Sequence, residues 1–137
     1  MGIIGFTEGT FDMFHIGHLN LLKNAKQRCD YLIVGVNTDE LVASYKKKEV
    51  MIPLEQRMQI VEAIRYVDKV VPIHTLDKMA SWKDYHYDKL FIGDDWKGSE
   101  RWNATEKEMN GVGVEVVYLP YTKETSSTAL RNKLRSE

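Results

Sequence analysis

Residues 9–18 read Gly9-Thr10-Phe11-Asp12-Met13-Phe14-His15-Ile16-Gly17-His18. An apolar run with Ile3, Ile4 and Phe6 precedes them, and a helical pattern follows. Strand, loop and helix in that order open a βαβ unit, with the loop beyond the carboxyl end of a parallel strand. Backbone N–H groups and the helix dipole make such a loop favourable for an anion. Gly9 lets a phosphate approach the backbone, and Gly17 lets the helix pack close to it. The two histidines can donate hydrogen bonds to phosphate oxygens and, when protonated, offset charge developing there. An isolated histidine in this place is more often a helix cap or a core residue. The full string, with two histidines and two glycines at this junction, favours phosphate.

Outward from that stretch, apolar β-branched runs alternate with helical patterns, as a parallel sheet requires. Strands are expected at Ile3–Phe6, Tyr31–Val36, Lys69–Ile73, Lys89–Ile92 and Val114–Leu119. Leu19, Leu22, Ala25 and Cys29 recur at helical spacing, so a first helix is expected from Gly17 to Cys29. Pro53 suits the first position of a second helix carrying Leu54, Ile60, Val61 and Ile64. Further helices are expected over Leu76–Tyr85 and Trp102–Asn110, and a last one capped by Ser126 or Ser127. The expected fold is a single Rossmann-like, doubly wound α/β domain over residues 1–137 with five parallel strands, binding its ligands beyond their carboxyl ends.

Composition narrows the function classes. The chain has 137 residues, 43% hydrophobic and 28% charged, a globular profile. Its net charge of −1 gives no basic field for nucleic acid or an anionic membrane. No apolar run approaches the roughly 20 residues that span a bilayer, and no export leader is apparent at the N-terminus. Cys29 is the one cysteine and has no internal partner for a disulfide. A cytoplasmic protein is expected.

Four other groups of residues bear on chemistry. Lys46-Lys47-Lys48 follows the second strand in what reads as a loop, where ammonium groups can reach phosphate oxygens. Arg57 and Arg65, eight residues apart on the Pro53 helix, point within about 80° of one another. Each can hold a phosphate, or snorkel to a carboxylate such as Glu55 or Glu62. Gly93-Asp94-Asp95-Trp96 ends the fourth strand with acids for a cation, a ribose or an acceptor hydroxyl, and an indole to stack on a base or wall a pocket. Ser126, Ser127 and Thr128 can bind phosphate at the start of the last helix. Asp12 can orient the histidines, contact an acceptor or form a turn.

The G-T-F-D-x-x-H-x-G-H string resembles the signature of the nucleotidyltransferase superfamily, and specifically its cytidylyltransferase branch. Arg65-Tyr66-Val67-Asp68-Lys69-Val70-Val71 resembles the R-Y-V-D-x-V-V segment of that branch. Gly93-Asp94-Asp95-Trp96-Lys97-Gly98 resembles the G-D-D-W-x-G segment of its bacterial glycerol-3-phosphate members. Leu119-Pro120 and Thr125-Ser126-Ser127-Thr128 fall where the family has R-T-x-G-I-S-T, but Tyr121 takes the arginine position and Glu124 the glycine. Lys123 is a candidate to supply the missing charge. Glu8 stands where many relatives have an aromatic residue, with no reason evident in the sequence.

The resemblance implies transfer of a cytidylyl group from CTP to a phosphorylated alcohol, with Mg²⁺ held mainly by the triphosphate. It implies catalytic roles for His15, His18, Lys46 and Arg65. Gly9, Thr10, Phe11, Gly93, Asp95, Ser127 and Thr128 join the histidines in holding the nucleotide. Asp12, Lys48, Arg57, Asp94 and Trp96, again with Arg65, face the acceptor. A homodimer is implied as well. The G-D-D-W segment implies sn-glycerol 3-phosphate and hence CDP-glycerol, a precursor of bacterial wall polymers. Choline phosphate and ethanolamine phosphate are the alternative acceptors. A non-catalytic nucleotide sensor is a further alternative, and a class I aminoacyl-tRNA synthetase fragment fits poorly with so short and non-basic a chain. Trp82, Trp102, His74 and His86 fall outside any motif and are expected to pack or lie on the surface.

Overall fold

The computed structural model describes residues 2–46 and 50–120. Five parallel strands form one sheet: β1 (Ile4–Gly9), β2 (Tyr31–Asn37), β3 (Lys69–Ile73), β4 (Lys89–Gly93) and β5 (Glu115–Leu119). Their spatial order is β3-β2-β1-β4-β5, so the winding reverses between β1 and β4. Helices α1 (Ile16–Lys26), α2 (Asp39–Lys46), α3 (Leu54–Glu62), α4 (Lys78–Tyr85) and α5 (Glu100–Asn110) connect the strands.

Every residue of β2 after Tyr31 is buried, which explains its unbroken Leu32-Ile33-Val34-Gly35-Val36 run: both faces of a parallel sheet are covered. Pro72 lies in β3, at the sheet edge, where its missing N–H costs least. One core forms on the face of α1 and α3, around Leu22, Val34, Val61, Phe91 and Leu119. The other forms on the face of α4 and α5, around Phe6, Tyr87, Leu90, Trp102 and Met109. Phe6 stacks on Tyr87 with ring centroids 4.6 Å apart.

All five expected strands are present, with β1 running three residues further, to Gly9. Three other readings need correction. The lysine run does not begin in a loop: Thr38 Oγ1 caps α2 by accepting the Leu41 N–H at 3.1 Å. Asp39 and Glu40 occupy its first turn and Lys46 its last, each matching the dipole. The first helix stops at Lys26, short of Cys29. The Pro53 helix ends at Glu62, so Arg65 is not on it.

The reversal point has a specific geometry. β1 is paired with β2 along its whole length, from Ile4 opposite Tyr31 to Gly9 opposite Val36. With β4 it is paired only at Gly5–Lys89 and Phe6–Leu90. Beyond Phe6 the two strands part, and the Thr7 hydroxyl donates to the Phe91 carbonyl at 3.0 Å across the widening gap. The cleft this opens lies at the carboxyl edge of the sheet.

Candidate active site

The Gly9–His18 segment leaves β1 at that edge and turns tightly into α1. Phe11 and Met13 both adopt the left-handed backbone region, with φ of 53° and 49°. Such conformations cost a non-glycine residue energy and persist where surrounding contacts impose them. Here Phe11 is buried in the α1 and α3 core and meets the His18 ring edge-on at 5.3 Å. Asp12, 2% exposed, accepts the N–H of Met51 at 2.7 Å and of Ile52 at 2.9 Å.

His15 and His18 form a reciprocal cap on α1. His15 Nδ1 accepts the Gly17 N–H at 3.0 Å, and His18 Nδ1 accepts the His15 N–H at 3.2 Å. Their rings stack with centroids 3.9 Å apart. Both Nδ1 atoms are therefore acceptors, and the neutral rings carry their protons on Nε2. Burial lowers the pKa of His15. Burial chiefly, with the His15 and Lys46 charges, lowers that of His18 to about 3 against the opposing pull of Asp12. The cap reading and the phosphate reading thus hold together, because Nδ1 serves the helix while Nε2–H remains a donor. Protonated histidines do not belong to the free site: the histidines here are neutral donors.

Arg57, expected to contact the acceptor, has its guanidinium engaged within the protein. It is 1% exposed. Its Nε donates to the Ile52 carbonyl at 2.8 Å, and Nη1 to the carbonyls of Thr10 and Asn37, each at 2.7 Å. Nη2 pairs with Asp39. With four hydrogen bonds committed, it clamps the β1 loop, the end of β2, the start of α2 and the 52 segment together. The Asp12 carboxylate likewise holds two backbone amides of the 51–52 segment. Arg65 lies exposed in the turn before β3, at the amino end of the strands and away from the histidines. Chain direction explains it: α3 runs back from the carboxyl edge and ends before reaching Arg65.

A cavity of about 380 Å³ fills the gap between β1 and β4 on the α4 and α5 side. It gathers Gly9, Thr10, Lys46 and Trp96 of the expected site residues. Gly93, Asp94 and Asp95 follow at the end of β4, and Asp94, Asp95 and Trp96 are exposed in a single 3₁₀ turn. Burial raises the pKa of Asp95, with the Asp94 charge adding to it. Lys48, Ser127, Thr128 and the altered segment around Tyr121 lie outside the described residues.

Several lining residues carried no warning in the sequence. Asn37 Nδ2 donates to Tyr45 Oη at 3.2 Å and to Thr10 Oγ1 at 3.4 Å, tying α2 to the phosphate loop. Trp102 is 4% exposed, with Lys78 Nζ 5.4 Å over its ring. Glu8 is ion-paired with Lys78 at 3.4 Å, both side chains 6% exposed. The signal for Glu8 was its departure from the aromatic residue of relatives. Lys78 and Trp102 enter from helices 70 and 94 residues downstream of it, which no local pattern reveals.

The comparisons agree with this geometry. The cytidylyltransferase-like family model matches residues 6–133. Glycerol-3-phosphate cytidylyltransferase of Bacillus subtilis (strain 168) is 39% identical over 129 residues, covering 93% of this chain and 94% of that one. The enzyme of the same name from Staphylococcus aureus (strain NCTC 8325 / PS 47) is 36% identical, covering 93% and 92%. The crystal structure of a lipopolysaccharide core biosynthesis protein from Thermoplasma volcanium GSS1 superposes with a TM-score of 0.75 at 26% identity, over 91% of this chain and all of that one. A histidine-capped helix at the reversal point of a five-stranded parallel sheet and a family match over nearly the whole chain lead to one conclusion: this protein belongs to the cytidylyltransferase-like family.

Proposed function

We propose that the protein transfers a cytidylyl group from CTP to sn-glycerol 3-phosphate, giving CDP-glycerol and pyrophosphate. The observation that carries this reading is the reciprocal cap. It fixes two neutral imidazoles at the carboxyl edge of β1 with Nδ1 accepting, so that each Nε2–H is available to a phosphate oxygen. Two relatives of near-equal length that carry this activity in their names support the choice of substrates.

In the reaction an oxygen of the acceptor phosphate attacks the α-phosphorus in line. The bond from that phosphorus to the bridging oxygen breaks, and pyrophosphate takes the electron pair. No covalent enzyme intermediate is needed. The protein aligns two anions that repel each other and stabilises added charge in the transition state. His15 and His18 donate from Nε2 to the reacting phosphates, and Lys46 at the end of α2 supplies positive charge to the α and β oxygens. Gly9, Thr10 and Phe11 shape the loop around the triphosphate. Gly93 and Asp95 serve the nucleoside, Asp94 and Trp96 the acceptor. Lys48, Ser127 and Thr128 keep the phosphate contacts implied by their family positions. Arg57 and Asp12 act indirectly by holding this loop in place.

As the family resemblance implies, Mg²⁺ would be carried by the triphosphate. Bound there, it would supply positive charge to the departing pyrophosphate. We place the protein in the cytoplasm as a homodimer of a single domain over residues 1–137. Among the described residues no helix is long and apolar enough to cross a membrane.

The test is pyrophosphate release with Mg²⁺ and each of CTP, UTP, ATP and GTP against glycerol 3-phosphate, choline phosphate and ethanolamine phosphate. The expected result is release from CTP with glycerol 3-phosphate, lost in His15→Ala and His18→Ala. Tight CTP binding with no release for any acceptor would instead make the protein a nucleotide sensor.

A further inference from the structure

The cavity between β1 and β4 is lined by buried acceptors that make no hydrogen bond to the described residues. Both carboxylate oxygens of Glu8 and the Oδ1 of Asn37 are buried, with no hydrogen-bond partner among the described residues. All three atoms belong to residues lining the cavity. Buried acceptors without donors are rare because each forfeits its hydration. Three in one cavity mark a place where a ligand brings the donors.

The charges around it restrict what that ligand is. Glu8 already faces Lys78 Nζ at 3.4 Å, and that ammonium also donates to the Leu76 carbonyl at 2.9 Å. Arg101 and Lys46 line the same cavity. Three cations against one carboxylate repel an ammonium head group. They leave Glu8 suited to groups that donate without carrying positive charge, which means hydroxyls. Burial raises the pKa of Glu8 and lowers that of Lys78, each shift partly offset by the partner's charge. Trp96 and Trp102 supply apolar walls for a carbon chain. Gly93 and Asp95, assigned to the nucleoside, are absent from the lining, while Trp96, assigned to the acceptor, is present.

We propose that this cavity receives the hydroxyl-bearing chain of the acceptor, and that Glu8, braced by Lys78, selects a phosphorylated polyol by accepting hydrogen bonds from its hydroxyls. The proposal rests on the cytidylyl-transfer reading and adds to it the residue that selects the acceptor. Glu8 is a specificity-determining residue, separate from the phosphate chemistry at the histidines.

The experiment measures kcat and KM for pyrophosphate release with CTP and four acceptors: glycerol 3-phosphate, 3-hydroxypropyl phosphate, n-propyl phosphate and choline phosphate. Wild type is compared with Glu8→Gln and with the double variant Glu8→Gln/Lys78→Met, which leaves no unpaired ammonium if the single variant folds poorly. A site built around substrate hydroxyls rejects analogues lacking them. In wild type kcat/KM falls about 100-fold or more from glycerol 3-phosphate to n-propyl phosphate, with the one-hydroxyl analogue between and choline phosphate poorest. In either variant that ratio shrinks below about 10, mainly through the KM for glycerol 3-phosphate, while the KM for CTP holds. An unchanged ratio, an effect confined to the KM for CTP, or preference of wild type for choline phosphate overturns the proposal and leaves cytidylyl transfer standing. Absence of release with every acceptor overturns both.

Discussion

The backbone N–H of His15 donates to Nδ1 of His18 at 3.2 Å, so the second histidine of the pair holds the residue that carries the first. On the proposed reading one imidazole performs two separable jobs, capping through Nδ1 and donating to phosphate through Nε2. Asparagine places an acceptor near the Nδ1 position and nothing near Nε2. His18→Asn is expected to keep α1 capped, with a melting temperature near wild type, while kcat falls about 10²–10³-fold. Circular dichroism melts alongside pyrophosphate release check both halves. A variant that melts early but turns over normally once folded would reverse the assignment.

The same histidine makes stability depend on pH. Its folded pKa of about 3 lies below the ordinary 6.5, mainly because it is buried. Between those values the unfolded chain takes up a proton that the folded chain does not, so stability rises with pH across this window and falls as pH drops through it. From pH 6.5 to 5 the wild type should lose about 2 kcal/mol more than His18→Asn, as read from urea unfolding. Bound triphosphate should reduce the loss, because a nearby anion favours the imidazolium.

Arg57→Met removes a cation whose donors satisfy three carbonyls and Asp39. It should cost about 3–5 kcal/mol in urea unfolding. Arg57→Lys restores charge but not the planar fork, and should recover less than half of that. Any protein that remains folded should bind CTP weakly, because the Thr10 and Asn37 backbones lose their common anchor.

Asp12→Ala leaves the Met51 and Ile52 amides without their acceptor. A loss of about 2–4 kcal/mol is expected. Hydrogen exchange should show these two amides losing protection before those of β2.

Gly35 in β2 leaves no room for a side chain, since a Cβ there would lie 2.4 Å from Ile73 Cγ1. Gly35→Ala should destabilise by about 1–3 kcal/mol. Ile73→Ala should cost clearly less in that background than in wild type, a coupling visible in a double-mutant cycle.

Sequence reading succeeded where the information was local. The Leu32–Val36 run, the Gly9–His18 string and the Gly93–Trp96 turn each carry their own pattern, and all lie where the strand order requires. The short α2 escaped because Thr38 follows β2 directly and caps the helix at once, with only Leu41 and Val42 turned inward. The partners of Arg57 were not legible because a helix pattern shows which face an arginine occupies and not which carbonyls await it. Arg65 was expected on the Pro53 helix, which stops three residues before it. The Glu8–Lys78 pair spans the reversal of the winding, and only the folded sheet brings strands 1 and 4 together.

The parting of β1 from β4 after Phe6 has a consequence for how such a protein can change. The histidines, Phe11 and the Arg57 clamp belong to the layer of α1 and α3, whereas Glu8, Lys78, Arg101 and Trp102 belong to the layer of α4 and α5. A single strand is the partition wall between them. Substitutions in the α4 and α5 layer can therefore re-tailor the guest while the phosphate-handling loop keeps its shape, and position 8, on the wall itself, is where such a revision begins.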